Sequence, residues 1–120
     1  KKDSACLQIK QNLDWITVET ITNIEDRKMY KAKLHAGEVD VMIFAQADPK
    51  ADLVIIDDNA AKKTAKYLGL TVTGTLGVLI KAKQSGIISS VKNAITKIQS
   101  NGFYINENII KLALKQAGEL

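Results

Sequence analysis

The sequence predicts an α/β protein built around a parallel sheet. The apolar run at residues 53–56 is followed directly by Asp57 and Asp58 and then by a helical pattern. A run of this kind is typical of a strand buried on both faces of a parallel sheet. Helical and strand-like patterns alternate from there onward, as right-handed crossovers between parallel strands require. We therefore expect one domain over residues 1–120.

The elements of the first half are predicted from apolar spacing and from the breakers Gly37 and Pro49. Apolar residues at helical spacing indicate helices, and a β-branched and aromatic run indicates a strand. Proline cannot continue a helix, so it marks an end. The predicted elements are a helix over 2–12, a strand over 15–19, a helix over 26–35 and a buried helix from 38 to the Asp48–Pro49 pair.

The second half contains clear caps and stops. Gly69 and Gly102 follow helical runs, where glycine ends helices, and Asn106 precedes one, where asparagine caps the first turn. The predicted elements are a helix over 59–68, a strand over 70–73, a helix ending at 85–86, a helix from Ser89 or Ser90 to Ser100, and a last helix to Ala117.

Composition restricts the class of protein. The chain has 120 residues, 46% of them hydrophobic, which suits one globular domain. No apolar stretch approaches the roughly 18 residues that span a bilayer, and no signal region follows the first residues, so we predict a cytoplasmic protein without a membrane segment. Cys6 is the only cysteine, which excludes an internal disulfide and argues against a zinc site.

Charge is distributed unevenly along the chain. Residues 1–58 carry 11 acids and 8 bases, whereas residues 59–120 carry 9 lysines and only the acids Glu107 and Glu119. This division favours a metal-dependent enzyme that acts on a polyanion. The alternative is that the lysines only keep solvent-facing helices soluble.

The candidate chemistry lies in two acidic elements. Asp57 and Asp58 are adjacent carboxylates that repel each other unless a cation or basic ligand offsets the charge. Receiver domains also pair aspartates after a strand, but they need a later aspartate, and none follows Asp58. Glu38 and Asp40 lie in the first turn of the apolar helix, where either both only stabilise the helix dipole or Asp40 faces the strand edge beside Asp57 and Asp58. Three such carboxylates can hold one or two magnesium or manganese ions for phosphodiester hydrolysis.

The glycine-containing stretch at residues 74–77 follows a predicted strand and precedes a helix. Its backbone N–H groups could bind a phosphate, as such turns do in nucleotide-binding proteins. A plain turn with Thr75 as the helix cap explains the same residues. Two glycines do not decide between these interpretations.

Four motifs in fixed order resemble a known family. They are GEVDVMIFA at 37–45, LVIIDD at 53–58, AKYLGLTVTGTLGVL at 65–79 and AKQSG at 82–86, followed by GFYI at 102–105 and the final helix. Together they resemble a PIN-like subfamily of prokaryotic proteins related to the toxin ribonucleases of toxin–antitoxin systems. The resemblance implies a three-layer α/β/α fold and a magnesium- or manganese-dependent endoribonuclease with acidic residues at the strand ends.

The resemblance assigns roles to individual residues. Asp40 matches the acid that opens the family's central helix, with Glu38 as its companion. Asp58, or else Asp57, matches the acid after the fourth strand. The resemblance therefore implies Asp40, Asp57 and Asp58 as catalytic metal ligands, with Glu38 as a ligand or a supporting group.

Other expectations concern partners. RNA is the implied substrate, with Lys62, Lys63 and Lys66 as the lysines that contact it, and an antitoxin protein is an implied partner. The chain has no initial methionine and is expected to start past the family's first two strands, so its acidic site would be incomplete. It would then be either the C-terminal portion of a longer protein or a degenerate homologue. An unpaired edge at residues 53–56 would then favour a homo-oligomer. The alternative function is a non-catalytic module that binds RNA or a protein.

Overall fold

The computed structural model describes residues 4–22, 24–30 and 34–120. These residues form six α-helices, one 3-10 helix and two short strands. In chain order they are α1 (Ser4–Gln11), the 3-10 helix (Ile24–Met29), α2 (Ala36–Ala47), β1 (Val54–Ile55), α3 (Asn59–Tyr67), β2 (Val72–Thr73), α4 (Thr75–Gln84), α5 (Val91–Ser100) and α6 (Glu107–Gln116).

The two strands form a parallel pair, as the sequence predicts. Val54 lies opposite Val72, and Ile55 lies opposite Thr73. Helix α3 connects the strands and packs against β2, while α2 packs against β1 and α3. The predicted α/β fold with a short parallel sheet is confirmed.

The main core lies between the sheet and helices α2 and α3. Val54 and Ile56 alternate along the strand onto the face that these helices cover. Met42 of α2 is fully buried there. The other buried members are Leu34, Val39, Ile43, Ala45, Ala61 and Ala65. Helix α2 is therefore the buried apolar helix that the sequence predicts.

The opposite face of β1 is open, and this corrects the prediction of a strand buried on both faces. Leu53 and Ile55 are 50% and 57% exposed. Thr73 points to this same face, and its Oγ1 lies against Gly77 in the first turn of α4. Helix α4 therefore begins on the side opposite α2 and α3, but it does not cover Leu53 or Ile55.

A second core joins helices α4, α5 and α6. Val91, Ile95, Ile105 and Leu114 are buried in it. The Glu119 carboxylate closes this helical unit by accepting hydrogen bonds from Lys83 Nζ at 2.9 Å, Val91 N at 2.7 Å, Lys92 N at 3.0 Å and Ser90 Oγ at 3.2 Å. These bonds hold the pKa of Glu119 at about 2.

Two predictions for the first half are wrong. Residues 15–19 form no strand: Trp15 and Val18 are 72% and 69% exposed, and strand preference depends on a neighbouring strand to pack against. Residues 24–29 form a 3-10 helix, where the sequence predicts an α-helix over 26–35. Residues 31–33, also inside that predicted helix, lie outside the described residues, as does the start of the helix predicted over 2–12.

The remaining helices agree with the predictions to within one or two residues at most of their ends. Within the described ranges, no helix has the length and apolar character to cross a bilayer.

Candidate functional site

Asp57 follows β1 and connects the end of this strand to the start of α4. Its Oδ1 accepts a hydrogen bond from Thr75 N at 2.7 Å, and its Oδ2 accepts one from Thr75 Oγ1 at 2.6 Å. Thr75 is the first residue of α4, and its N–H is one of the groups that a helix cannot satisfy internally. The carboxylate of Asp57 therefore replaces a capping side chain for α4.

Asp58 performs the equivalent task for α3. It is the N-cap residue, and its Oδ2 accepts a hydrogen bond from Ala61 N at 3.0 Å. Both aspartates are exposed. Two consecutive carboxylates thus lie at the positive ends of two helix dipoles, which reduces the cost of placing two like charges side by side.

Lys62 and Gly74 complete the surroundings of Asp57. A Cβ atom on Gly74 would lie 2.7 Å from Asp57 Oδ1, 3.0 Å from Lys62 Nζ and 3.4 Å from Ile56 O. A larger residue here would displace the Asp57 carboxylate or the Lys62 ammonium, because both approach the Gly74 backbone. The carboxyl end of the parallel pair therefore carries two carboxylates and one nearby cation, at the edge where open α/β sheets bind ligands.

Asp40 has a different partner. Its Oδ1 accepts a hydrogen bond from Arg27 Nε at 2.7 Å, and its Oδ2 accepts one from Arg27 Nη2 at 2.6 Å. This bidentate pairing is the geometry in which a guanidinium binds a carboxylate most strongly. The hydrogen bond from Arg27 holds the pKa of Asp40 below its usual value.

Glu38 takes part in the cap of α2. Its Oε1 accepts a hydrogen bond from His35 N at 3.2 Å, and it is acidic in the first turn, where the helix dipole favours negative charge. This contact matches the dipole interpretation of the residue.

The structure thus divides the predicted acidic site into parts. Asp57 and Asp58 lie together at the strand end, Asp40 is paired with Arg27, and Glu38 caps α2. Within the part of the chain that the structure describes, no three histidine, cysteine, aspartate or glutamate side chains converge in a way that could hold a metal ion. The roles assigned to these acids stay predictions.

The three lysines of α3 also separate. Lys62 reaches the surroundings of Asp57, whereas Lys63 lines a groove formed by α2, α3 and the 3-10 helix. Lys66 is exposed one helical turn after Lys62. Only Lys62 therefore lies beside the strand-end carboxylates.

Sequence reasoning missed the partners of these acids. Arg27 is the only arginine among 17 basic residues, which is a signal that could have pointed to a carboxylate partner. The helix cap considered for the stretch at 74–77 is also corrected. Gly74, not Thr75, is the N-cap of α4, and Gly77 lies inside the helix. Thr75 instead donates to Asp57 from a distance of 18 residues in sequence.

Comparison with known proteins gives one result. A family model described as a PIN domain matches residues 1–119. No curated protein and no solved structure matches the chain significantly.

Proposed function

Because the chain belongs to the PIN domain family, we propose that it is a magnesium- or manganese-dependent endoribonuclease. The observation that carries this proposal is the pair of exposed carboxylates, Asp57 and Asp58, at the carboxyl end of β1 with the Lys62 ammonium nearby. Divalent cations and phosphates both bind at such edges in α/β proteins.

The donor set fits a magnesium site that the substrate completes. Magnesium in nucleotide-processing enzymes keeps several waters and is held by one or two carboxylates together with substrate phosphates. Asp57 and Asp58 supply two carboxylates, and each has lone pairs left after the hydrogen bonds that it accepts at a helix N-terminus, two for Asp57 and one for Asp58. A bound divalent ion would supply an ionised water and stabilise the leaving oxygen.

The other acids have secondary roles in this proposal. Asp40 becomes a ligand only on leaving Arg27, because the positive charge of that guanidinium, which donates to both oxygens, would repel a metal ion beside them. Glu38 supports Asp40 from the same turn of α2. Arg27 therefore decides whether the site has two carboxylates or three.

The remaining groups prepare the site for an anionic strand. Thr75 fixes the Asp57 carboxylate through two hydrogen bonds. Lys62 offsets part of the negative charge and contacts an RNA phosphate, with Lys63 and Lys66 extending the basic surface along α3. The absence of any acid in α3 keeps this surface positive.

A second candidate is a non-catalytic module that binds RNA or a protein through the same lysines. The salt bridge between Arg27 and Asp40, at 2.6 Å, favours it, since it neutralises one of the proposed ligands. Metal binding separates the two candidates: the nuclease requires it, and the module does not.

The test measures manganese binding by calorimetry and cleavage of single-stranded RNA in Asp40→Asn, Asp57→Asn and Asp58→Asn. We expect Asp57→Asn and Asp58→Asn to lower both by orders of magnitude, because each removes a metal ligand. Asp52→Asn is the matched control, since this exposed aspartate lies just before the amino end of β1. Cleavage that is equal in all four variants and the wild type would refute the proposal.

Self-association is proposed from the open face of the sheet. Leu53 and Ile55 expose apolar surface, and the N–H of Ile55 lies on the edge of β1 away from β2. A second copy packed against this edge would bury the apolar surface and accept a hydrogen bond from the N–H group. Light scattering should give a dimer or larger assembly that Ile55→Lys disrupts, and a monodisperse wild-type monomer would contradict this. The antitoxin partner and the cytoplasmic location stay predictions.

A further inference from the structure

A groove lies on the side of α3 that faces away from Lys62, and we name it the α3 groove. It has a volume of about 870 Å³ and is formed by the C-terminal halves of α2 and α3 and by the end of the 3-10 helix. Its walls include Met29, Tyr30, Gln46, Lys63 and Tyr67. Nothing in the proposed metal site uses these residues.

Tyr67 is the most unusual residue of the α3 groove. Its side chain is 90% exposed although the phenol ring is large and mostly apolar. Exposed rings of this kind are the platforms on which unpaired nucleobases stack. Met29, 85% exposed, adds a second uncovered apolar side chain to the same groove.

The polar groups of the groove are arranged for hydrogen bonding. The Tyr30 hydroxyl donates to Gln46 Oε1 at 2.7 Å, which leaves the Gln46 amide nitrogen as a donor. Partial burial raises the pKa of Tyr30, with the Asp26 carboxylate adding to the effect, so the phenol stays protonated and keeps this bond. An amide donor beside a stacking ring suits the carbonyl oxygens of a nucleobase.

The α3 wall of the groove offers a cation for a phosphate. Lys63 lines the groove, and Lys66 is exposed one residue before Tyr67. Asp26, on the 3-10 helix, is the acidic residue of the lining, so the lining carries one acid and one base on different elements. Lys62 and Lys66, one helical turn apart, lie on the face of α3 that turns away from the groove.

We propose that the α3 groove binds an unpaired base of a single-stranded RNA, which stacks on Tyr67 while Lys63 contacts the adjoining phosphate. Since α3 rises about 1.5 Å per residue, Tyr67 lies roughly 13 Å along the helix axis from Asp58, a distance of a few nucleotides. The groove then holds RNA that extends from the cleavage site. This inference deepens the proposed function and rests on it for the identity of the polymer.

The experiment measures binding of a fluorescently labelled single-stranded RNA decamer to the full chain by anisotropy, in the presence of a chelator so that no cleavage occurs. Tyr67→Ala should weaken binding on the order of ten- to a hundredfold, the effect of losing one base–aromatic stack. Tyr67→Phe should bind within about twofold of the wild type, because phenylalanine keeps the ring. The same RNA annealed into a duplex should bind more weakly, since its bases are paired.

Tyr104→Ala is the matched control, because this tyrosine is 83% exposed but lies before α6, away from the groove. For charge, Lys63→Gln should lower the salt dependence of binding by about one counterion, and Lys111→Gln, on α6, should not. Equal RNA affinity of Tyr67→Ala, Tyr104→Ala and the wild type would overturn the proposal and leave the groove to a protein partner.

The failure of the nuclease proposal has a different signature. If the aspartate variants cleave like the wild type while metal-free binding still depends on Tyr67, the metal roles are wrong and the groove assignment stands. If cleavage depends on the aspartates but binding ignores Tyr67, the groove assignment is wrong alone.

Discussion

Replacing Asp58 separates its structural role from its proposed metal role. Its carboxylate caps α3 through Ala61 N at 3.0 Å. Loss of an N-cap costs about 1 kcal/mol, within a range of roughly 0.5–2 kcal/mol. For a chain of this size, that corresponds to a fall in Tm of roughly 3–6 °C. Asp58→Ala should show this fall, whereas Asp58→Asn should not, because asparagine caps helices as well as aspartate does.

The metal role appears when the same variants are melted with and without magnesium. A ligand that binds only the folded state at ten times its Kd raises stability by about 1.4 kcal/mol. We expect this increase in the wild type and its loss in both Asp58→Ala and Asp58→Asn. Circular dichroism melts measure both effects, and Asp52→Ala controls for removal of an exposed carboxylate. An Asp58→Asn variant that loses as much metal-free stability as Asp58→Ala would refute the capping argument, and one that keeps the magnesium effect would refute the metal role.

Three further predictions concern the frame around the site. The hydrogen bonds to Glu119 lower the pKa of its carboxyl from 4.5 to about 2 in the folded state, so the stability that they add is complete above about pH 4.5 and falls as the pH drops toward 2. Thermal melts of Glu119→Gln should lack this pH dependence. Gly77→Ala should destabilise the chain because a Cβ would clash with Thr73 Oγ1, and Gly37→Ala, with open space around it, should be neutral or stabilising in the same denaturant titration. Met42→Ala should cost about 2–5 kcal/mol in urea unfolding, because it leaves a cavity in the core between α2 and the sheet, and a cost below 1 kcal/mol would show that the core collapses around the change.

Local signals explain what the sequence predicted correctly. Ser90 and Asn106 accept hydrogen bonds from the first turns of α5 and α6. Gly69 has a φ of 82°, a conformation that favours glycine after a helix. These caps and stops act within a few residues, so the helix limits of the second half follow from the sequence alone. The parallel pairing followed because a helix connects the two strands.

The errors arise where distant residues decide the outcome. Residues 15–19 have a strand-like composition but find no hydrogen-bonded strand neighbour among the described residues. The apolar run at 53–56 has two apolar faces, yet only the face of Val54 and Ile56 is covered. The apolar pattern identifies a strand and shows which residues share a face. Which face is covered depends on packing against distant residues, which a local pattern does not contain.

The acidic site shows the same limit in its chemistry. Arg27 and Asp40 are 13 residues apart, and no local pattern joins them. Their pairing affects the proposed site directly, because Asp40 accepts its two hydrogen bonds from a cation, whereas Asp57 and Asp58 accept theirs from neutral groups at helix N-termini. A carboxylate offers about four acceptor positions, so a metal ion can join Asp57 and Asp58 without breaking the bonds that they already make. At Asp40 the same ion has to displace a charge-assisted pair. In the proposed nuclease a metal ion would therefore bind first at Asp57 and Asp58, and Asp40 would join them only after Arg27 leaves it.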